Sequence, residues 1–477
     1  MDEHAHARET DDLQERIADL ACGLQFGTLP ADDREAAIVR VADSFAALVA
    51  GFDSSTARRA RALAGTRPHP GGATVMGAGM KVAPEMAAFV NATTSREAEW
   101  NDVYMSRAGG GTHPSDVVMP ILAAAEHAGT DGATFLAGVV IAYEIYVSLS
   151  DVASITGFDQ AGLAGIGVAA AAGRVMGLSR DQILQAISIA AVANNPLNQS
   201  RRNDLSMWKA AAAGQAGMAG VLAAVMAQHG MEGPSMPFRG AAGWCTNIAR
   251  NAFDLPALDP AGSRFRIRDT QIKPRASCQV TISSILAAEA AAGRLPEDAA
   301  NADAIAHVLV ETYGYAKRGV GSAPQCWNPL SRESADHSIP YVVSAALIDG
   351  TVGPRQFQDD RLWDPQIRRL LPKVEVRADD GFSAAYDQHP RKHHTRVTVE
   401  LVSGQQIQGE TGGPLGDLGD EPTRSQLERK FLDLTESRLG EGMARSAMER
   451  LLNIESVGDV GEIAALLSID GSEASKV

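Results

Sequence analysis

Apolar residues recur at helical spacing through most of the first half of the chain. Asp32 and Glu35 form a candidate capping box, and Ile38, Val41, Phe45, Leu48 and Val49 follow until Gly51. The same periodicity predicts helices over 117–127, stopped by Gly129, and over 135–148. Residues 161–176 are apolar on nearly every side, which predicts a buried central helix. Gly177-Leu178-Ser179 ends that helix and caps the next, with Gln182 three residues after the serine. A further helix over 205–228 closes at Gly230.

The period changes after about Arg264. Residues 304–310 have strand-like composition, 373–377 alternate, and Thr395–Leu401 alternates until the turn signal Ser403-Gly404. Helical stretches over 280–292 and 341–347 lie between. Helix resumes near Thr423, where Leu427, Phe431 and Leu434 share one face. The expected fold is therefore mainly α, with a helical first part over 1–270, an α+β segment over 271–421 and C-terminal helices over 422–477 that return to the helical part.

Composition sharpens this picture. In 477 residues aromatics make up only 5%, while glycine alone contributes 46 positions, so helices are expected to pack through small side chains. The net charge of −15 argues against nucleic acid and anionic membrane as partners. An anionic substrate would need a local gathering of basic groups. Cys22, Cys245, Cys278 and Cys326 are scattered and form no C-x-x-C pair, which fits a reducing, cytoplasmic setting. The start, Met1-Asp2-Glu3-His4, lacks the signature of a signal peptide. No uncharged apolar run is expected to reach the ~18 residues that span a bilayer.

Four segments carry candidate chemistry. The first runs Glu99-Trp100-Asn101-Asp102-Val103-Tyr104, then Gly109-Gly110-Gly111-Thr112-His113-Pro114-Ser115-Asp116. His113 reads as an acid–base group or as a plain loop histidine, and Ser115 or Asp116 as the cap of the next helix. The second holds Arg201, Arg202 and Lys209 around a predicted helix start, a setting for a bound carboxylate or a solvated basic turn. Met207 and Trp208, between them, could equally be core. The third is Gln271-Ile272-Lys273-Pro274-Arg275, at the expected domain junction, where ligand clefts form. The fourth, Arg332-Glu333-Ser334-Ala335-Asp336-His337-Ser338-Ile339-Pro340-Tyr341, places an Asp-His pair near Arg and Tyr, though Asp336 or Ser338 also reads as a helix cap.

Other patterns lead nowhere. Gly165–Ala170 fits G-x-G-x-x-A, but no clear strand precedes it. His393 and His394, adjacent on an alternating strand, would face opposite ways, and a substitution at His393 is expected to be silent. No motif calls for a metal or another cofactor.

Taken together these segments resemble the MmgE/PrpD family of 2-methylcitrate dehydratase-like enzymes. That family has an acidic-aromatic-Asn-Asp stretch, a His-Pro-Ser-Asp, a Ser-Met-Trp-Lys, a junction lysine and an Arg-Glu-Thr-Ala-Asp-His-Ser-Leu-Pro-Tyr. The counterparts here are Glu99–Asp102, His113–Asp116, Ser206–Lys209, Lys273 and Arg332–Tyr341, in order from roughly residue 30 to 460. The resemblance implies a large all-helical domain built from both chain ends, a smaller inserted α+β lid domain, and a homodimer. It implies acid–base chemistry beside a carboxylate, without a cofactor, on a small di- or tricarboxylate. His113, Asp102, Lys209 and Lys273 would be catalytic. Glu99, Asn101, Tyr104, Arg201, Arg332 and His337 would bind substrate. Dehydration is the first expectation, with cis-aconitate-type decarboxylation or substituted-succinate epimerisation as alternatives, and a catalytically inactive carboxylate-binding homologue as the reading of a different class. Two departures stand out. Glu99-Trp100-Asn101-Asp102-Val103 replaces the family's Asp-aromatic-Asn-Asp-Thr, and Ala164-Gly165 stands where the family stretch ends in Asp-His. Either the reaction then differs from methylcitrate dehydration, or a neighbour such as Asp159 or Tyr104 substitutes for that histidine.

Overall fold

A computed structural model describes residues 10–202, 205–388, 391–412 and 422–467. The chain start, Asn203-Asp204 in the second candidate segment and the stretch before Pro422 lie outside the described residues. The protein is 60% helical, with 19 α-helices among the described residues and only small sheets, so it is mainly α. Its contacts divide it into two units. One comprises Met1–Asn203, Met207–Thr270 and Thr423–Val477; the other comprises Gln271–Pro422 with Asp204–Ser206.

The first unit is built on helices whose contact surfaces are alanine and glycine. Ala161–Val175 is buried almost throughout, as its uniform apolarity predicts. It packs on Gly132–Val152 and Trp208–Gln228. Glycines sit where the backbones meet. A Cβ at Gly214 would lie 2.2 Å from Thr93 Oγ1 and 2.5 Å from the Phe89 carbonyl, and one at Gly217 would lie 2.3 Å from Pro120 Cγ. Trp208–Gln228 is thereby drawn against Pro84–Glu97, a helix the apolar pattern does not reveal. Gly132–Val152 and Trp208–Gln228 correct one expectation, since both are long and apolar enough to cross a membrane. Of the most apolar window in each, 89% and 67% is buried inside the protein.

Caps follow the sequence in part. Ser179 and Gln182 form the expected capping box, and Gly129 ends Val118–Ala128 at φ +65°. The box expected at Asp32 and Glu35 does not form: Ala31–Gly51 starts from Pro30 with no side-chain cap. Nor is this unit free of strands. Pro68–Val75 pairs with Met80–Val82, and Tyr104–Met105 with Gly111–Thr112, both antiparallel.

The second unit has a four-stranded sheet in the order Val374–Ala378, Ile305–Thr312, Thr395–Leu401, Gln406–Thr411. The first pair is parallel and the others antiparallel. Gln279–Ala292 lies on this sheet at close range, a Cβ at Gly409 falling 2.1 Å from the Ala287 carbonyl. Ile339–Asp349 packs on that helix and is capped by Ser338, whose hydroxyl accepts from the Tyr341 N–H. His393 is not the exposed strand residue expected. It precedes the strand, is 1% exposed, and meets the rings of Tyr313 and Tyr386 edge-on. Removing it would open a cavity rather than pass silently.

Candidate active site

The glycine-rich segment is the turn of a hairpin. Gly109 and Gly110 have φ +100° and +90°, conformations that a side chain would strain. The Ser106 N–H bonds the Gly110 carbonyl at 3.0 Å, closing the turn. Folding back in this way brings Asn101-Asp102 alongside His113–Asp116. The Asn101 amide donates to Ser115 Oγ at 3.0 Å and, at 3.5 Å, to Asp116 Oδ1. The Asp102 carboxylate accepts from the Ser115 N–H at 2.9 Å and from the Tyr143 hydroxyl at 3.0 Å. Ser115 and Asp116 therefore do not cap the following helix, which has no side-chain cap. They belong to the cross-hairpin network.

His113 Nδ1 lies 3.0 Å from the Asp102 carbonyl oxygen. A carbonyl only accepts, so Nδ1 carries a proton, and whenever the ring is neutral Nε2 is its unprotonated nitrogen. Asp102 is fully buried and both its oxygens are engaged. Its main-chain carbonyl holds His113, and its carboxylate holds Ser115.

Glu99 has φ +54°, a left-handed conformation costing of order 1–3 kcal/mol for a side-chain-bearing residue. Its carboxylate receives the Arg96 guanidinium and, at 3.2 Å, Lys209 Nζ. All three side chains are buried. Two cations thus share one carboxylate, and Arg96 Nε also lies 3.7 Å from Asp116 Oδ1. Arg96 closes the Pro84–Glu97 helix and Lys209 opens Trp208–Gln228, so the glycine-mediated approach of these helices sets the distance between them. Met207 and Trp208 are exposed, not core.

Asp116 is the residue that sequence reasoning undervalued by reading it as a cap. It is 4% exposed, and its Oδ2 has no hydrogen-bond partner. Burial pushes its carboxyl up to about 7, against the pull of Arg96 and Arg201. The signal available in sequence was its place three residues after His113.

The two expected substitutes for the missing histidine are committed elsewhere. Tyr104 donates to Asp151, which also receives Arg266 at 2.8 Å; burial and that carboxylate raise the phenol well above its ordinary value. Asp159 holds Arg201 at 3.0 Å and the Ser200 hydroxyl. Burial works to raise its carboxyl, but Arg201 and Ser200 prevail and leave it lowered. Arg201 is accordingly taken up by an internal carboxylate, in the turn Asn198–Arg201 rather than at a helix start. At Gly165, inside the buried helix, a Cβ would lie 2.7 Å from Asn194 Nδ2.

In the second unit Lys273 is fully buried, and its Nζ donates to the Ser277 carbonyl at 3.1 Å. The Ser277 hydroxyl and the Cys278 N–H both donate to the Asp336 carbonyl, at 2.8 and 3.1 Å. Lys273 is thereby tied to the Asp336-His337 segment, where the His337 ring bonds the Asp336 carboxylate. Arg332 opens the short helix Arg332–Ala335 leading into that segment, which Ser331 caps. Among the described residues no group of three His, Cys, Asp or Glu side chains is placed to hold a metal ion.

The chain is 28% identical to a 2-methylcitrate dehydratase of Salmonella typhi, over 71% of this chain and 72% of that protein. It is 29% identical to the mitochondrial 2-methylcitrate dehydratase of Yarrowia lipolytica, over 70% and 66%. It is 25% identical to the cis-aconitate decarboxylase of Homo sapiens, over 81% and 80%. Residues 15–254 match the MmgE/PrpD N-terminal domain and residues 276–454 the MmgE/PrpD C-terminal domain. The chain belongs to the MmgE/PrpD family.

Proposed function

We propose that the protein is a metal-independent lyase for a small di- or tricarboxylate, a hydro-lyase of the 2-methylcitrate dehydratase type. One observation carries the reading: His113 Nδ1 is held on the Asp102 carbonyl, which makes Nε2 the basic nitrogen of the neutral ring, in the stretch of chain that begins with Glu99, whose carboxylate Arg96 and Lys209 share. The two cations, Arg96 and Lys209, would favour a substrate carboxylate. Nε2 would take the proton from the carbon beside that carboxylate. The electrons of that C–H bond would form the new C=C bond, and the hydroxyl on the adjacent carbon would leave as water with a proton supplied by an acid. Asp116, held protonated up to about pH 7, has the proton affinity for that second role. The finer arrangement belongs to the same proposal and rests on resemblance: the α+β unit acts as an inserted lid, supplying Lys273, Arg332 and His337.

The likeness to a cis-aconitate decarboxylase, which spans more of the chain than the dehydratase matches, keeps decarboxylation as the second reading. A panel of polycarboxylates, incubated with chelator-dialysed enzyme in deuterated water and followed by proton NMR, separates the outcomes. A new vinyl signal with the hydroxyl lost indicates dehydration; loss of carbon dioxide, decarboxylation; exchange without net reaction, epimerisation. Activity that returns only with added iron or zinc refutes metal independence. No change with any acid would leave a carboxylate-binding protein. We further propose a cytoplasmic homodimer; light scattering should give a mass near twice the 50.1 kDa chain, and a monomer at micromolar concentration counts against it.

A further inference from the structure

The segment bearing Glu99 is held from the far end of the chain. The Trp100 carbonyl accepts a 2.8 Å hydrogen bond from Lys430 Nζ, 330 residues away on the helix Arg424–Leu439. The same Nζ pairs with Asp43 Oδ1 at 2.5 Å, on Ala31–Gly51, and lies 5.8 Å from the centre of the Trp100 ring. The two charged side chains are only 9% and 6% exposed. Asp43 also borders a crevice whose walls mix Leu427, Phe431 and Met448 with Glu35, Arg424 and Glu428. Burial lowers Lys430 and raises Asp43, each opposed by the other's charge.

An ion pair this buried is a poor source of stability, because stripping water from two charges offsets their attraction. What it supplies is direction. An ammonium group has three donors, and here one is aimed at a main-chain carbonyl beside a residue in an unfavourable backbone conformation. We infer that Lys430 is a positioning residue: by pinning the Trp100 carbonyl it keeps Glu99 left-handed, with its carboxylate between Arg96 and Lys209. The functional weight of this inference rests on assigning Glu99–Asp102 to the active site.

Lys430→Met alone would strand the Asp43 charge, so the informative protein is the double variant Asp43→Asn/Lys430→Met. It removes both charges and the donor together. The measurements are its thermal midpoint, its crystal structure and its steady-state kinetics. The expected result is a midpoint near wild type, Glu99 released from positive φ and separated from Lys209, and kcat lowered by about 10- to 100-fold with KM little changed. A folded double variant in which Glu99 keeps its conformation and its contact with Lys209 overturns the inference. If Glu99 moves but turnover does not, the positioning role stands and the active-site assignment of the segment falls. Should the double variant not fold, Lys430→Gln carries the same readouts, since its shorter amide can satisfy Asp43 while giving up the Trp100 carbonyl.

Discussion

Replacing His113 by alanine will lower turnover by at least about 10²-fold and leave the fold intact. The ring bonds the Asp102 carbonyl, and such a bond contributes roughly 1 kcal/mol net. The hairpin that carries it has its own ladder and turn, and Asp102 stays bound to Ser115 and Tyr143 without the imidazole. Circular dichroism and the unfolding midpoint should therefore resemble wild type. Turnover should not, because His113 carries the only imidazole among the described residues of the hairpin. A folded His113→Ala protein with near wild-type turnover would show that this hairpin is not the catalytic site, and family membership would then speak for the fold alone.

A large loss of stability is expected at Gly214. Gly214→Val places a Cβ where the Phe89 carbonyl already stands at 2.5 Å, against an ordinary contact of 3.4–4 Å. A main-chain oxygen cannot swing aside as a flexible side chain can, so the two helices must part by about 1 Å, at a cost near 3 kcal/mol. Because those helices bear Arg96 and Lys209, the charge cluster should loosen with them. Gly442→Ala is the control. Nothing lies within 4 Å of a Cβ there, and alanine favours the helix, so stability should hold or rise slightly. Equal denaturation midpoints for Gly214→Val and wild type would mean that the helix contact is far softer than it looks.

Much of the helical frame was legible because apolar periodicity over a dozen residues is a strong signal. Ala161–Val175, Gly132–Val152 and Thr395–Leu401 lie within a few residues of their expected bounds. The helix Pro84–Glu97 was not, because its last turns bury Thr93, Thr94, Ser95 and Arg96, polar residues that look solvent-facing in a sequence. The site was legible as a set of segments but not as roles. Nothing in the spelling of His-Pro-Ser-Asp shows that Asp102 reaches over to the Ser115 N–H and so frees Asp116 from capping. Arg201 looked available for a ligand because its partner, Asp159, lies 42 residues earlier. Such pairings are decided by tertiary contact, and no local pattern encodes them.

The long reach of Lys430 also orders events during synthesis. Trp100 leaves the ribosome 330 residues before the lysine that grips its carbonyl, an interval of roughly 16–66 s at ordinary elongation rates. Throughout that time Asp43 and the Glu99 segment exist without their cation. Residues 271–422, the bulk of the α+β unit, are all made before Lys430 is. The unit that carries His113 and Lys209 thus has residues made both before and after the α+β unit, and the Glu99 segment gains its hold from Lys430 only once residues 271–422 have been made.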